Sequence, residues 1–239
     1  YDCVPGYAKG LSGVARSMPT SSAVDVVAKH LGINCFETPT GWKFFGNLLD
    51  ANKITLCGEE SFGTSGDHVR EKDGVWTVLC WLSILADLQR PVSELLRQHW
   101  TAFGRSYYCR HDYEGLEADK AQTIMDQLVR NRGSILGRMV NGMTVSDVNV
   151  FSYEDPVDGS VAHNQGVRVQ FDDQSRVVYR LSGTGTDAAT LRVYLEQIER
   201  DATNQGADAI EYNDVLGEFA NHIAQIREVS GLSQPSVKT

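Results

Sequence analysis

Gly13-Val14-Ala15-Arg16-Ser17 reads as a short strand, and the sequence from there to Gly63 decides the fold of the first half. Ser22 is placed to cap a helix that runs to Leu31, with Val24, Val27, Ala28 and Leu31 on one face and Gly32 as its stop. Ile33 to Glu37 is a second strand, Thr38-Pro39-Thr40-Gly41 a turn, and Trp42 to Leu49 a short helix. Ile54 to Cys57 is an apolar strand that runs into Gly58-Glu59-Glu60-Ser61-Phe62-Gly63. Strands alternating with helices at this spacing predict βαβ units. In such sheets ligands collect at loops leaving the carboxyl ends of strands. Thr38–Gly41 and Gly58–Gly63 both hold that position.

Further along, Gly74 to Leu88 is apolar nearly all round and is expected to be a buried helix. Pro91 opens another helix, and Gly104 ends it after Trp100 and Phe103. A domain boundary is expected there, giving residues 1–104 and 105–239. The second part starts with a strand, Tyr107 to Tyr113, followed by an amphipathic helix from Glu117 to Arg132 through Ala121, Ile124, Met125, Leu128 and Val129. Val167 to Phe171, the turn Asp172-Asp173-Gln174-Ser175 and Val177 to Leu181 form a hairpin. Leu191, Val193 and Leu195 alternate with polar neighbours, which predicts a strand. Asn213 is placed to cap a last helix, with Val215, Leu216, Phe219, Ile223 and Ile226 inward, and the tail from Gln234 is expected to fray. The fold class is therefore α/β: a mixed-sheet α/β domain followed by a smaller α+β domain with an antiparallel sheet.

Composition narrows the function classes. The 239 residues are 41% hydrophobic and 22% charged, a globular mix. Lys and Arg number 22 against 31 Asp and Glu, a net charge of −9 that disfavours general binding to nucleic acid or anionic membranes. The longest apolar run, Val75 to Leu88, is too short to span a bilayer. No signal peptide is visible, and the opening Tyr1-Asp2-Cys3-Val4-Pro5-Gly6 lacks an initiator Met, so the sequence reads as a piece of a longer protein. Cys3, Cys35, Cys57, Cys80 and Cys109 are odd in number and far apart, which predicts free thiols in a reducing, cytoplasmic compartment. The six histidines form no metal-binding spacing.

Several polar groups carry candidate chemistry. Arg180-Leu181-Ser182-Gly183-Thr184-Gly185-Thr186 follows a strand. Glycines there let backbone N–H groups close round an anion, and the hydroxyls and Arg180 add donors, with Arg192 on the next strand. A plain tight turn between two strands explains the glycines equally well. A dinucleotide fingerprint at Gly183, Gly185 and Ala188 would need a helix directly afterwards, where a strand is expected. Glu59 and Ser61 set a carboxylate and a hydroxyl at a strand end, suited to sugar hydroxyls or to solvated decoration. Lys72, inside Arg70-Glu71-Lys72-Asp73, reads first as a surface charge run, and His68 as polar surface. Thr40-Gly41-Trp42 is a rigid turn with an aromatic ring beside it.

Together these segments resemble a known family. Ala15 to Ser21, Glu37 to Asn47, Cys57 to Gly63, Arg70 to Gly74, Asp155-Pro156-Val157-Asp158-Gly159-Ser160, Asn164-Gln165-Gly166 and Arg180 to Gly185 resemble the phosphoglucomutases of the α-D-phosphohexomutase superfamily. The resemblance covers almost the whole chain and implies the third and fourth of four domains arranged round a cleft. It implies that Glu59 and Ser61 hold sugar hydroxyls and that Thr40, Gly41 and Trp42 form a glucose-specific loop. It further implies that Lys72 contacts bound sugar phosphate. A phosphate loop is implied at Arg180, Ser182, Gly183, Thr184 and Gly185, with Arg192 further on. For the complete protein it implies interconversion of glucose 1-phosphate and glucose 6-phosphate through a phosphoserine, with glucose 1,6-bisphosphate and Mg2+.

The family's phosphoserine loop and its acidic metal loop have no match here, so no catalytic or metal residue is assigned in this chain. Its expected partners are glucose phosphates and the N-terminal domains of the same protein. Thr186-Asp187-Ala188-Ala189 departs from the family's phosphate loop, with Asp187 bringing a carboxylate near a bound dianion. A non-catalytic sugar-phosphate-binding or interaction protein descended from a mutase is the alternative.

Overall fold

A computed structural model describes residues 2–61, 63–183 and 188–239. Its chain divides into two units, residues 1–105 with 153–162, and 106–152 with 163–239. A linear division at residue 104 does not anticipate that 153–162 joins the first unit.

In the first unit the strands β1 (Gly13–Ser17) and β2 (Asn34–Thr38) flank the helix α1 (Ala23–Leu31). The helix α2 (Trp42–Asp50) leads to β3 (Leu56–Glu59), which turns straight back as β4 (Gly63–Gly66). The sheet order is β2-β1-β3-β4, with β1 parallel to both β2 and β3 and β4 antiparallel to β3. The sheet is therefore mixed, as expected. The Gly58–Gly63 segment leaves the carboxyl end of β3, which is parallel to β1, as expected, but it turns straight back into β4, with Glu59 opposite Gly63. Gly32 stops α1 at a φ of 68°, in the left-handed region that glycine adopts without strain. Ser22 precedes α1 but makes no side-chain cap bond. The core gathers Ala15, Phe45, Leu48, Leu49, Ile54 and Cys57, with Phe36 and Trp42 at its margin. Each large side chain buried here contributes about 1.5–3 kcal/mol.

Two further helices follow, α3 (Gly74–Leu88) and α4 (Val92–Phe103). The extent of α3 matches the sequence reading, but its burial does not: no residue of α3 is fully buried. An all-apolar pattern says that a helix wants covering on every side; it does not say that these 239 residues supply the cover. Pro91 stands one residue before α4 as its cap, where its missing N–H costs nothing.

The second unit is built on a long strand, β5 (Arg105–Glu117), followed by α5 (Ala118–Arg130) and the short α6 (Arg132–Ile135). Then come β6 (Met139–Val140) and β7 (Met143–Val150). A small hairpin, β8 (Tyr153–Glu154) and β9 (Val161–Ala162), belongs to the first unit. The chain returns through β10 (Val167–Phe171), β11 (Arg176–Ser182) and β12 (Ala188–Glu199). It closes with α7 (Ala209–Tyr212), α8 (Asp214–Ala224), α9 (Ile226–Ser230) and β13 (Val237–Lys238).

Among the described residues these strands form a seven-stranded antiparallel sheet in the order β13-β5-β12-β11-β10-β7-β6. Ala121, Ile124 and Leu128 of α5 and Leu216, Ala220 and Ile223 of α8 pack on one sheet face with Val177, Tyr179, Leu191, Val193 and Leu195. Three expectations fail here, although Ile226 is buried as expected. Val215 is 53% exposed rather than inward, and Gln225, at a φ of 53°, breaks the last helix so that Ile226 belongs to α9. The tail does not fray: Val237 and Lys238 pair with Asp112 and His111, adding an edge strand. All five cysteines are free, with Cys57 and Cys109 buried. Burial, and after it the charge of Glu59, pushes the Cys57 thiol up to about 12, so it stays an unreactive thiol.

Candidate functional site

The site in the first unit is built where β1, β2 and β3 end together. Arg16 lies opposite Glu37 on β2 and Gly58 on β3. Its guanidinium grips Asp25 with two prongs, Nε to Oδ1 at 2.7 Å and Nη2 to Oδ2 at 2.6 Å, and reaches Glu37 Oε1 at 3.0 Å. Burial opposes the charge, but Asp25 and Glu37 outweigh it and raise the Arg16 pKa. This buried anchor fixes the sheet edge from which the candidate loops leave. It had no assigned role in the sequence reading, although it stands inside the quoted Ala15–Ser21 segment.

Glu59 is the centre of the site, its side chain 5% exposed. The backbone N–H of Gly41 donates to its Oε1 at 2.6 Å. Lys72 Nζ stands 3.2 Å from Oε2, and Ser61 Oγ donates to the same oxygen at 3.5 Å. Lys72 also donates to the carbonyl and hydroxyl of Ser61, at 3.2 and 3.0 Å. The structure thus brings together Gly41, Glu59, Ser61 and Lys72, which come from three separate stretches of sequence.

Two glycines permit this. Gly41, at a φ of 131°, holds a backbone shape that other residues rarely adopt. At Gly63 a Cβ would come within 2.3 Å of Cδ and Cε of Lys72, so only glycine lets the lysine stem cross the hairpin. A second link ties the hairpin to the loop after β1: the Glu60 N–H donates to Thr20 Oγ1 at 2.7 Å, and Thr20 shares a hydrogen bond with Ser17 Oγ at 2.7 Å.

The Thr40 hydroxyl and the Trp42 indole N–H are buried and meet no protein partner among the described residues. Buried polar groups are normally satisfied, so each orphan is a place for a ligand or water. The body of Trp42 packs edge-on against Phe45 at 5.1 Å, so its ring is core and only its N–H is available. His68 does not join the site. Its Nε2 lies 3.0 Å from Asp73 Oδ2, and Asp73 caps α3 by accepting the Trp76 N–H. That N–H, and then His68, lower the Asp73 pKa.

The quoted segments Glu37–Asn47 and Asp155–Ser160 also meet. Asn47 Nδ2 donates to Asp155 Oδ2 and Asp158 Oδ2, each at 3.1 Å, and Tyr153 packs edge-on against Phe44 at 5.5 Å. This explains why residues 153–162 join the first unit.

The second unit carries the other candidates. On β11 and β12, Arg180 pairs with Arg192, and Ser182 with Thr190, so Arg180, Ser182 and Arg192 share one sheet face. Gly183 has a φ of 76°, a shape that suits the start of a tight turn. Thr184 and Gly185, and the Asp187 that departs from the family pattern, lie outside the described residues. Since β12 begins at Ala188, a strand and not a helix follows, which removes the dinucleotide reading.

Arg180 lines a cavity of about 830 Å³ together with Asn164, Gln165 and Gly166, with Arg130 and Asp126 on the α5 side. Arg192 Nε stands 3.9 Å from Asp112 Oδ1, and Arg110 Nε 2.9 Å from the same atom. The sequence reading missed Arg110 and Asp112. They stand two apart on β5, the spacing that sets side chains on one face, but only the sheet order makes them neighbours of Arg192.

Residues 105–236 match the family described as Phosphoglucomutase-1, C-terminal domain, and residues 5–103 match Phosphoglucomutase/phosphomannomutase, alpha/beta/alpha domain III. The chain belongs to the phosphoglucomutase family. It is 48% identical to the probable cytoplasmic phosphoglucomutase 1 of Arabidopsis thaliana, over 99% of this chain and 43% of that protein. It is 50% identical to the phosphoglucomutase of Rhizobium radiobacter, over 98% of this chain and 43% of that protein. A crystal structure of the exocytosis-sensitive phosphoprotein pp63/parafusin, a phosphoglucomutase from Paramecium in its open form, superposes with a TM-score of 0.88 at 45% identity. That match covers 97% of this chain and 40% of parafusin. This phosphoglucomutase-family chain thus spans less than half the length of the relatives it matches. No helix among its described residues is long and apolar enough to cross a membrane.

Proposed function

We propose that this chain is the sugar- and phosphate-holding part of a cytoplasmic phosphoglucomutase that interconverts glucose 1-phosphate and glucose 6-phosphate. Glu59 and Ser61 accept and donate to sugar hydroxyls, and Lys72 holds Glu59 in place and faces substrate phosphate. Thr40, Gly41 and Trp42 border the sugar. Arg180, Ser182, Gly183 and Arg192, with Thr184 and Gly185, hold a phosphate group. The carrying observation is the Glu59 carboxylate, withdrawn from solvent yet clamped by Gly41 and Lys72 beside the orphan donors of Thr40 and Trp42.

In this reading the phosphoserine and Mg2+ act from the part of the protein that precedes these residues, and glucose 1,6-bisphosphate is the intermediate. Among the described residues no group of three or more His, Cys, Asp or Glu stands close enough to hold a metal ion. What these residues contribute is positioning: binding energy spent away from the reacting phosphate orients the reacting end.

The test compares two proteins. One is this chain alone. The other is a full-length form, in which this chain follows the N-terminal part of the Solanum tuberosum cytoplasmic phosphoglucomutase, a relative 49% identical over the shared region. In a coupled assay the chain alone should match the no-enzyme blank, and the full-length form should turn over glucose 1-phosphate. Turnover by the purified chain alone would overturn the division of labour. A full-length form that folds and binds glucose 6-phosphate without turnover would favour a non-catalytic binding protein.

Calorimetric titration of glucose 6-phosphate into the full-length form tests the phosphate loop. Arg180→Ala should weaken binding by roughly one to two orders of magnitude, the ~1.5–3 kcal/mol of a charge-assisted hydrogen bond. Arg180→Lys should recover only part of that, since lysine keeps the charge and loses the planar fork. Equal affinities in all three proteins would reduce the loop to a turn.

Gly63→Ala should displace the Lys72 stem and cost up to about 1 kcal/mol of sugar-phosphate affinity, roughly fivefold. Because the side chain that must move is flexible and partly exposed, the melting temperature should hardly change. A large loss of stability with unaltered affinity would contradict this role for Gly63.

A further inference from the structure

The sheet face that carries Arg180 and Arg192 also holds an ionic cluster that the phosphate reading does not use. Cys109 and Tyr113 of β5 belong to the core, so Arg110 and Asp112, which alternate with them, stand on the opposite face. Leu191 and Val193 of β12 likewise belong to the core and set Arg192 beside that pair. The Asp112 side chain is 5% exposed, against 15% for Arg110 and 27% for Arg192. Its Oδ1 lies 2.9 Å from Arg110 Nε and 3.9 Å from Arg192 Nε, and accepts no aligned hydrogen bond among the described residues. Charge, then, is what ties this buried carboxylate to its two guanidinium neighbours. The backbone beneath is fixed by β13: the Ser236 N–H donates to the Asp112 carbonyl at 2.7 Å, and Arg110 exchanges two hydrogen bonds with Thr239, at 2.8 and 3.0 Å.

We propose that Asp112 is a positioning residue: it holds the Arg192 guanidinium in the orientation that receives the phosphate of a bound sugar phosphate, while Arg110 compensates its charge. The proposal rests on the phosphate-binding reading of Arg180 and Arg192, and it gives Asp112 no contact with the ligand.

Three observations point to this role. Arg192 lies directly opposite Arg180 on the neighbouring strand, and like charges so placed repel. A side chain as long as arginine swings away from such a neighbour unless something holds it, and in the order β5-β12-β11 Asp112 stands on the far side of Arg192 from Arg180. The approach is made at Nε, the root of the fork, from which the two Nη groups project. Finally, Asp112 is the least exposed of the three, so the arginines and not the carboxylate meet the solvent from which a phosphate arrives. A second buried carboxylate on this face, Glu196, serves elsewhere: Arg176, its partner across the strands, reaches it at 2.7 Å. The two roles open to Asp112 predict opposite signs. As a bare negative charge it repels a dianion, and removing it tightens binding, most of all at low salt. As the holder of Arg192 it lowers the cost of ordering a flexible side chain, and removing it weakens binding despite the positive charge gained.

Calorimetric titration of glucose 6-phosphate tests the proposal in the full-length form, as the parent, Asp112→Asn, Arg192→Ala and the double variant. Asp112→Asn should weaken binding by about 5- to 20-fold, at low and at physiological salt alike. In the Arg192→Ala background the same change should cause no further weakening, because the group it positions is gone. A merely structural carboxylate would weaken both backgrounds equally, and a merely electrostatic one would tighten both; either result would overturn the proposal. Asp112→Glu keeps the charge but adds a methylene that displaces the carboxylate, and should weaken binding by at least ~3-fold. It carries the test by itself should the asparagine variant not fold, and parental affinity in it would then overturn the proposal. Unchanged affinity in Arg192→Ala would remove the phosphate reading of Arg192 and this proposal with it. A weakened Arg192→Ala beside an unweakened Asp112→Asn would remove this proposal alone.

Discussion

Arg16→Ala should lower the stability of the chain by about 3 kcal/mol, read as a shift of the urea midpoint at unchanged slope. Breaking a buried ion pair by removing one partner costs ~3–5 kcal/mol, because the other charge is left without compensation. The lower end applies here, since the side chains of Asp25 and Glu37 are 39% and 26% exposed and recover some hydration, while that of Arg16 is only 7% exposed. Arg16→Met should cost nearly as much as alanine: it fills the space but leaves two carboxylates facing each other. Arg16→Lys should fall between, because one ammonium cannot grip Asp25 with two prongs and reach Glu37 as well. The pKa of Arg16 is raised by folding, so its contribution is fully present below the ordinary arginine pKa and is constant across neutral pH. A methionine variant as stable as the parent would show that shape and not charge holds this corner.

Glu59→Gln in the full-length form should reduce kcat/KM for glucose 1-phosphate by about one to two orders of magnitude, with little change in melting temperature. The reason lies in the clamp. Both carboxylate oxygens of Glu59 accept, one from Gly41 N–H and the other from Ser61 and Lys72. Glutamine must turn an NH2 group toward one of those donors, so either the Thr40–Trp42 loop or Lys72 loses its place. Glu59→Asp separates charge from reach: it keeps the carboxylate but is one methylene too short to meet Gly41 and Lys72 together. It should be damaged nearly as much. Parental kcat/KM in the glutamine variant, measured with saturating coupling enzymes, would reduce Glu59 to a structural clamp.

Much of the fold was legible because short-range patterns carry it. The alternation in Leu191–Glu196, the stop at Gly32 and the four-residue turn 172–175 are each decided within a few residues, and each is found in place. What failed depended on distant partners. Nothing local announces that Gly63–Gly66 folds back on β3, or that Val237 and Lys238 find an edge at β5. The candidate residues Glu59, Ser61, Lys72 and Gly41 were nameable singly from residue type and family resemblance. Their convergence on one carboxylate was not, because it requires a glycine at 63 thin enough for a lysine stem to pass.

By itself, then, the sequence determined the succession of helices and strands, the fold class, the family and the residue types from which the candidate site is built, since periodicity, turn chemistry and ordered motifs are written along the chain. Only the tertiary structure decided which of those groups meet. It alone set Arg16 between two carboxylates, gave His68 to a helix cap and placed Asp112 between Arg110 and Arg192. It also left α3, apolar nearly all round, with no fully buried residue. A one-dimensional pattern records that a side chain favours burial or a charge favours a partner, whereas which surface covers it depends on packing between segments far apart in the chain.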